Sequence, residues 1–122
     1  MSYTELQLTT KTEKFHVNNV KLLQYLDEAR RPWYSFCYSL GVEAVVVHIE
    51  ADYKKEVFNG EELTIRTTLE RLGNTSFTLK QSIRNASEEL VLNALVVLAT
   101  IDRETRTKTT LPSELRDQSL QI

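Results

Sequence analysis

The chain has 122 residues, 41% apolar and 26% charged, with 15 Lys and Arg against 17 Asp and Glu for a formal net charge of −2. These figures fit one domain, residues 1–122, of ordinary soluble composition; they exclude a disordered tail and a disulfide scaffold, and they speak against a nucleic-acid binder. Cys37 is the only cysteine, so no internal disulfide forms; the polar N-terminus lacks a signal sequence, and a cytoplasmic location is expected.

Residues 3–11 alternate weakly, with Tyr3, Glu5 and Gln7 set against Thr4, Leu6 and Leu8, and read as a first strand. A helix is expected next, capped by Asn18 or Asn19, whose short side-chain oxygens can accept from a free first-turn N–H. Its apolar positions, Val20, Leu22, Leu23, Leu26, Ala29, Trp33, Phe36, Cys37 and Leu40, cover more than one narrow face, the pattern of a mostly buried helix. Pro32 interrupts it: either the helix kinks there, or a second helix starts with Pro32 in its first turn. Gly41 is a natural terminator.

Beyond Gly41 the period becomes two. Val42–Tyr53 is β-branched and long enough for a buried strand, with Val45, Val47 and Ile49 expected opposite Val42, Ala44 and Val46. Asn59-Gly60 is a turn signal. Leu63, Ile65, Thr67 and Leu69 alternate with polar residues, Gly73-Asn74 turns the chain, and Phe77, Leu79, Gln81 and Ile83 alternate again. Asn85–Glu88 is a further turn, and Leu90–Ile101, apolar on both faces, reads as a central strand; a membrane helix would need about 20 such residues. The order β-α-β-β-β-β implies an antiparallel four-strand meander burying one face on an early helix, an α+β fold. The opposite face, with Arg66, Glu70, Lys80 and Arg84, is expected to be wet.

The stretch His16-Val17-Asn18-Asn19-Val20-Lys21, followed by Tyr25-Leu26-Asp27-Glu28-Ala29-Arg30, resembles the 4-hydroxybenzoyl-CoA-thioesterase-like branch of the hotdog superfamily, and is similar to the acyl-carrier-protein thioesterases. Tyr53-Lys54-Lys55, Arg71-Leu72-Gly73-Asn74-Thr75-Ser76-Phe77 and Asp102-Arg103 before Leu111-Pro112 agree, so the resemblance spans roughly residues 3–116. It implies a five-stranded antiparallel sheet wrapped around one long central helix, assembled as a homodimer or homotetramer. It implies hydrolysis of an acyl thioester of coenzyme A or acyl carrier protein, with no metal and no cofactor beyond the coenzyme A of the substrate.

Thioester hydrolysis needs a donor for the negative charge that grows on the carbonyl oxygen, and a carboxylate that activates water or attacks. The resemblance assigns the donor to a first-turn backbone N–H, that of Asn19, beside Asn18; a helix start suits it, because the unpaired N–H groups and the dipole favour anions there. The carboxylate is where the sequence departs. The usual Asp position is Thr12, the usual Gly position is Phe15, and Lys14 stands where the carrier-protein enzymes have Asn. A threonine hydroxyl without a base does not activate water at neutral pH. Glu13 is one position over, which on a strand reverses the face. Glu28 matches a helix carboxylate used in other hotdog branches, with Asp27 a weaker substitute; about 13.5 Å along the helix from Asn19, it would meet the same substrate only across a dimer.

His16 is a candidate base or orienting group. Thr12, Asn18, Arg71 and Ser76 are candidate substrate contacts, and Arg71, Lys54, Lys55 and Arg103 candidate phosphate partners. His48, on an apolar strand, is expected to be buried or at an interface, and Cys37 to fill core. Neither histidine has metal-ligand spacing, and no Gly-x-Ser-x-Gly is present. The alternative to hydrolysis is a non-catalytic acyl-thioester-binding or regulatory hotdog protein, which Thr12 and Phe15 favour.

Overall fold

The early helix is built as two. The computed structural model describes residues 3–120. Strand β1 (Tyr3–Thr9) leads by a loop to helix α1 (Asn19–Ala29), and α2 (Arg31–Ser39) follows after the single residue Arg30. The Arg30 N–H donates to Leu26 O, closing α1, while its carbonyl accepts from Trp33 and Tyr34, opening α2. Pro32 sits in the first turn of α2, where its missing N–H has no helical partner to lose. Gly41, at φ +91°, ends the helix in the left-handed region.

Four strands follow: β2 (Val42–Tyr53), β3 (Glu62–Leu72), β4 (Ser76–Asn85) and β5 (Leu90–Asp102). The sheet order is β1-β3-β4-β5-β2, with every pair antiparallel. The expected four-strand meander is therefore corrected to three strands, β3-β4-β5. Strand β2 crosses to the far side and pairs with β5, and among the described residues no strand pairs with its other edge. Alternation within a strand shows which face is buried but not which neighbour it takes. Arg66, Glu70, Lys80 and Arg84 are exposed, as expected.

A bulge between Val46 and His48 shifts the register of β2. Val46 lies opposite Leu98 and Ile49 opposite Val96, two buried core residues, so Ile49 shares a face with Val46 and not with Val45. His48 is exposed, bonded to Glu50 at 3.1 Å, and not buried.

The core falls into two apolar clusters. Leu22, Tyr25, Leu26 and Ala29 of α1 pack on Leu63, Ile65, Ile83 and Leu92. Trp33 and Cys37 of α2 pack on Leu69, Phe77, Leu79, Val96 and Leu98. Between them a polar row crosses the sheet, Thr4 beside Thr67 beside Gln81, directly under the helix break. The Arg30 guanidinium, 3% exposed, donates to Gln81 Oε1 at 2.9 Å and to the Tyr34 hydroxyl at 2.8 Å. Gln81 in turn donates to Leu26 O and Thr67 Oγ1, both at 3.0 Å. Each buried polar group here has its partner, which is the condition for burying it at tolerable cost. Burial pushes the Cys37 thiol up to about 11, in keeping with a core role.

Helix α3 (Ser113–Leu120) has no counterpart among the elements expected from the sequence. Its only inward residue among those described is Leu115, which joins Leu111 on the second cluster, too sparse a pattern to read as a helix.

Candidate active site

The loop between β1 and α1 is stitched to the turn between β2 and β3. Thr10, buried, donates from its hydroxyl to Phe58 O at 2.7 Å and accepts from Glu61 N at 3.0 Å. His16 forms a β-bridge to Phe58, and Val17 N donates to Val57 O at 2.8 Å. Gly60, at φ +84°, makes the Asn59-Gly60 turn and donates to Thr10 O. These bonds fix where α1 begins.

Asn18 is the cap. Its backbone is extended, at φ −78° and ψ 167°, and its Oδ1 accepts from Lys21 N at 2.9 Å. The Asn19 N–H, first in the helix, has no acceptor among the described residues. Asn19 borders a hollow of 450 Å³, lined also by His16, Val17, Asn18 and Leu22 from the α1 side, and by Tyr53–Val57 from the end of β2 onward. A second hollow, of 550 Å³, lies across Asn18 and is lined by Thr12, Glu13, Val20 and Gln24 with Lys11, Lys14 and Lys21. Lys54 and Lys55 add positive charge on the first side, Lys55 being paired with Glu89 at 3.1 Å. A helix start ringed by lysines attracts an anion or a carbonyl oxygen that is gaining charge.

Thr12 borders the second hollow. Its N–H donates to Asn59 Oδ1 at 2.8 Å and its hydroxyl accepts from Lys14 N at 3.2 Å, so it serves the loop's own turn. Phe15, in the place of the usual Gly, is 82% exposed and stands edge-on to Phe58 with ring centroids 5.3 Å apart.

The remaining candidates lie elsewhere in the chain. Glu28 is exposed on α1, nine residues past Asn19 and so about half a turn out of phase, on the opposite flank of the helix. The Asn19 flank faces β2, since Asn19 and Leu22 share their hollow with Tyr53. Arg71 and Ser76 stand at the β3–β4 turn, the other end of β3 from the Asn59-Gly60 turn. Gly73 N donates to Ser76 O at 2.7 Å, and a Cβ at Gly73 would come within 3.1 Å of Ser76. Arg103 lies over the Tyr38 ring at 4.1 Å, away from the α1 start. The structure thus brings His16, Asn18 and Asn19 together, with Thr12 adjoining, and does not bring Glu28, Arg71 or Ser76 to them within one chain. Among the described residues, no three His, Cys, Asp or Glu side chains gather as a metal site.

Asp27, the weaker substitute, has a side chain 58% exposed and anchored by two neighbours. Its Oδ1 accepts from the Tyr34 hydroxyl at 3.1 Å and from Arg30 Nη2 at 3.3 Å. Tyr34 lines a hollow with Tyr38 and with Ala44 at the start of β2.

Comparisons with known proteins agree on the family. The model of the thioesterase-like superfamily matches residues 12–119. The long-chain acyl-CoA thioesterase FadM of Escherichia coli (strain K12) is 31% identical over 116 residues, covering 88% of this chain and 86% of the relative. Among solved structures, the probable thioesterase YbaW of Escherichia coli superposes with a TM-score of 0.82 at 27% identity, over 97% of both chains. Slr0204, a 1,4-dihydroxy-2-naphthoyl-CoA thioesterase from Synechocystis, gives 0.81 at 20% identity, over 98% of this chain and 97% of its own.

Proposed function

Because this chain belongs to the thioesterase-like superfamily and is an acyl-thioester hydrolase of the hotdog fold, we propose that it cleaves acyl-CoA at the start of α1. The observation that carries the reading is the Asn19 N–H, without an acceptor among the described residues, at the border of the lysine-flanked hollow. The thioester carbonyl lies against that N–H, which stabilises the oxyanion; one such donor is typically worth about 2.7–4 kcal/mol in the transition state. Asn18 and Thr12 hold the substrate on either side, and His16, in the same hollow, carries protons. The lysines favour a carrier with phosphates, and the relative named for long-chain acyl-CoA supports coenzyme A; carrier-protein thioesters are the second class to test.

The reading includes a homodimer, or a pair of dimers. The bare edge of β2 carries Val46, Val47 and Ile49, all more than a third exposed, and an apolar edge of this length invites pairing. A second copy on that edge would supply Arg71 and Ser76 as contacts for the coenzyme. Glu28, the carboxylate that the sequence favours, keeps its role only if a second copy approaches α1 from the β1 side.

The test is thiol release from a panel of acyl-CoAs and acyl carrier proteins of graded chain length. Release from acyl-CoA is expected. Saturable binding with no thiol released from any substrate would sink the hydrolytic reading and restore the non-catalytic one.

A further inference from the structure

We propose that Phe15 and Phe58 form the rest for the aliphatic chain of the substrate and so set its preference for chain length. This deepens the hydrolase reading and rests on its placement of the thioester at the Asn19 N–H. Neither ring is used by the fold. Phe15 is 82% exposed and Phe58 38%, and neither joins an apolar cluster of the core. They meet edge to face, with centroids 5.3 Å apart and planes at 68°, a contact that leaves their other faces to solvent.

The bonds that fix the start of α1 also place this pair. His16 and Phe58 face each other in an antiparallel bridge, flanked by the bond from Val17 N to Val57 O. Two residues so opposed, without exchanging bonds of their own, carry their side chains on one face and at their closest. His16 borders the Asn19 hollow, so Phe58 stands beside the hollow on that face. The backbone of Phe58 is held at both ends. Its N–H donates to Glu61 Oε2 at 2.6 Å, and its carbonyl accepts from Thr10 Oγ1 at 2.7 Å. A ring on so fixed a backbone loses little freedom when a ligand lies on it. Phe15 is four residues before Asn19, so their Cα atoms are at most about 14 Å apart.

The surface between Asn19 and the rings is apolar. Val17, Leu22 and Val57, all buried, line the hollow, and Phe58 follows Val57 directly. Along the same segment the charges come earlier, at Lys54, Lys55 and Glu56. An acyl group whose carbonyl meets the Asn19 N–H lays its chain over Val17 and Val57 and onto the two rings. The coenzyme keeps to the lysines.

The rim is open, so it suits a flexible chain, and the area covered grows with length until the chain has passed the rings. A short acyl group stops before them. The rings are remote from the reacting atoms, so what they contribute is equal in the ground state and the transition state. Such uniform binding appears in KM and leaves kcat alone.

The experiment uses the full-length chain and its Phe15→Ala, Phe58→Ala and Phe15→Leu variants. Thiol release is followed from hexadecanoyl-CoA and butanoyl-CoA below their micelle concentrations, and binding of the matching non-hydrolysable S-alkyl-CoA thioethers is measured by calorimetry. Each alanine variant is expected to lower the ratio of kcat/KM for the long chain over the short one about tenfold, through KM, with kcat for the long chain kept within about twofold. The ratio of thioether affinities should fall by the same factor. Phe15→Leu, which keeps apolar surface, should restore most of the preference. An unchanged ratio in both folded alanine variants overturns the proposal and leaves the hydrolase reading standing. An equal fall for both chain lengths also overturns it, by placing the rings against the coenzyme or in the support of the loop. A changed sedimentation coefficient in Phe15→Ala overturns it in favour of a subunit contact. A parent that releases no thiol sinks the hydrolase reading, and the thioether affinities then decide the role of the rings by themselves.

Discussion

Gln81 Nε2 donates to the carbonyl of Leu26 at 3.0 Å, so a residue in the middle of the sheet is bonded to the last full turn of α1. The same side chain accepts from buried Arg30 and donates to Thr67. Gln81→Leu would leave a buried guanidinium short of a partner and free the helix from the strand beneath it. Removing the neutral partner of a hydrogen bond to a buried charge costs about 1.5–3 kcal/mol, and a loss in that range is expected in urea unfolding, with Arg30 keeping Tyr34 and Asp27. An unchanged midpoint and slope would show that the polar row is not holding the halves together.

Asn19→Pro is the direct probe of the oxyanion donor. Proline is tolerated in the first helical position, and it requires an extended residue before it, which Asn18 already is at ψ 167°. The substitution deletes the N–H together with the Asn19 carboxamide, and Asn19→Ala, which keeps the N–H, is its control. A fall in kcat of about 100-fold or more is expected with an unchanged circular-dichroism spectrum. Full turnover in a folded Asn19→Pro protein would move the carbonyl elsewhere.

Asn18→Ala separates capping from chemistry. Losing the bond to Lys21 N should cost about 1 kcal/mol of stability, and Asn18→Gly only a few tenths. Differential scanning calorimetry ranks the two; equal melting points for parent and Asn18→Ala would contradict the cap.

Val47→Asp tests the assembly. Val47 occupies the β2 bulge and is 57% exposed on a bare edge, so a charge there should not harm the monomer but should block strand pairing. Sedimentation should shift from dimer to monomer, with activity lost in parallel. A stable dimer of this variant would place the contact on another surface.

Cys37 gives a pH test. Its thiol ionises near 11 when folded against an ordinary 9.0, so the folded chain binds the proton more tightly. Between those two values the unfolded thiol has lost its proton and the folded one has kept it. Stability therefore falls as pH rises above 9, by up to about 1.4 kcal/mol for each pH step of one, and the fall ends once the folded thiol also ionises. Iodoacetamide should leave the native thiol unmodified at pH 8 and label it in denaturant. Labelling of the folded protein would show that the second cluster opens readily.

Most of the architecture was legible because local patterns dictate it. Asn18 as a cap, Pro32 at a helix start, Gly41 and Asn59-Gly60 as punctuation, and the alternation in β3 and β4 all carried through. What failed were properties set by long-range contact. The partner of β2 and the face reversal at Val47 depend on pairing with β5, which no window of sequence displays. The helix start was visible as a candidate site through His16-Val17-Asn18-Asn19. The anchoring of Asp27 was not. One residue on a helix is a rotation of about 100°, so Asp27 and Glu28 point to different flanks, and Asp27 is the one that meets Tyr34 and Arg30, brought close by the break.

That break also makes the two helices mechanically separable. Each half rides on its own apolar cluster, and a single residue of backbone joins them. A strain applied to α1, as when its start grips a carbonyl, is passed to the sheet through Gln81, with only the Asp27–Tyr34 side-chain hydrogen bond running directly to α2 among the described residues. The second half, carrying Trp33, then behaves as an anvil against which the first is set. Tryptophan fluorescence should accordingly stay unmoved when substrate binds, while exchange at the amides of α1 slows.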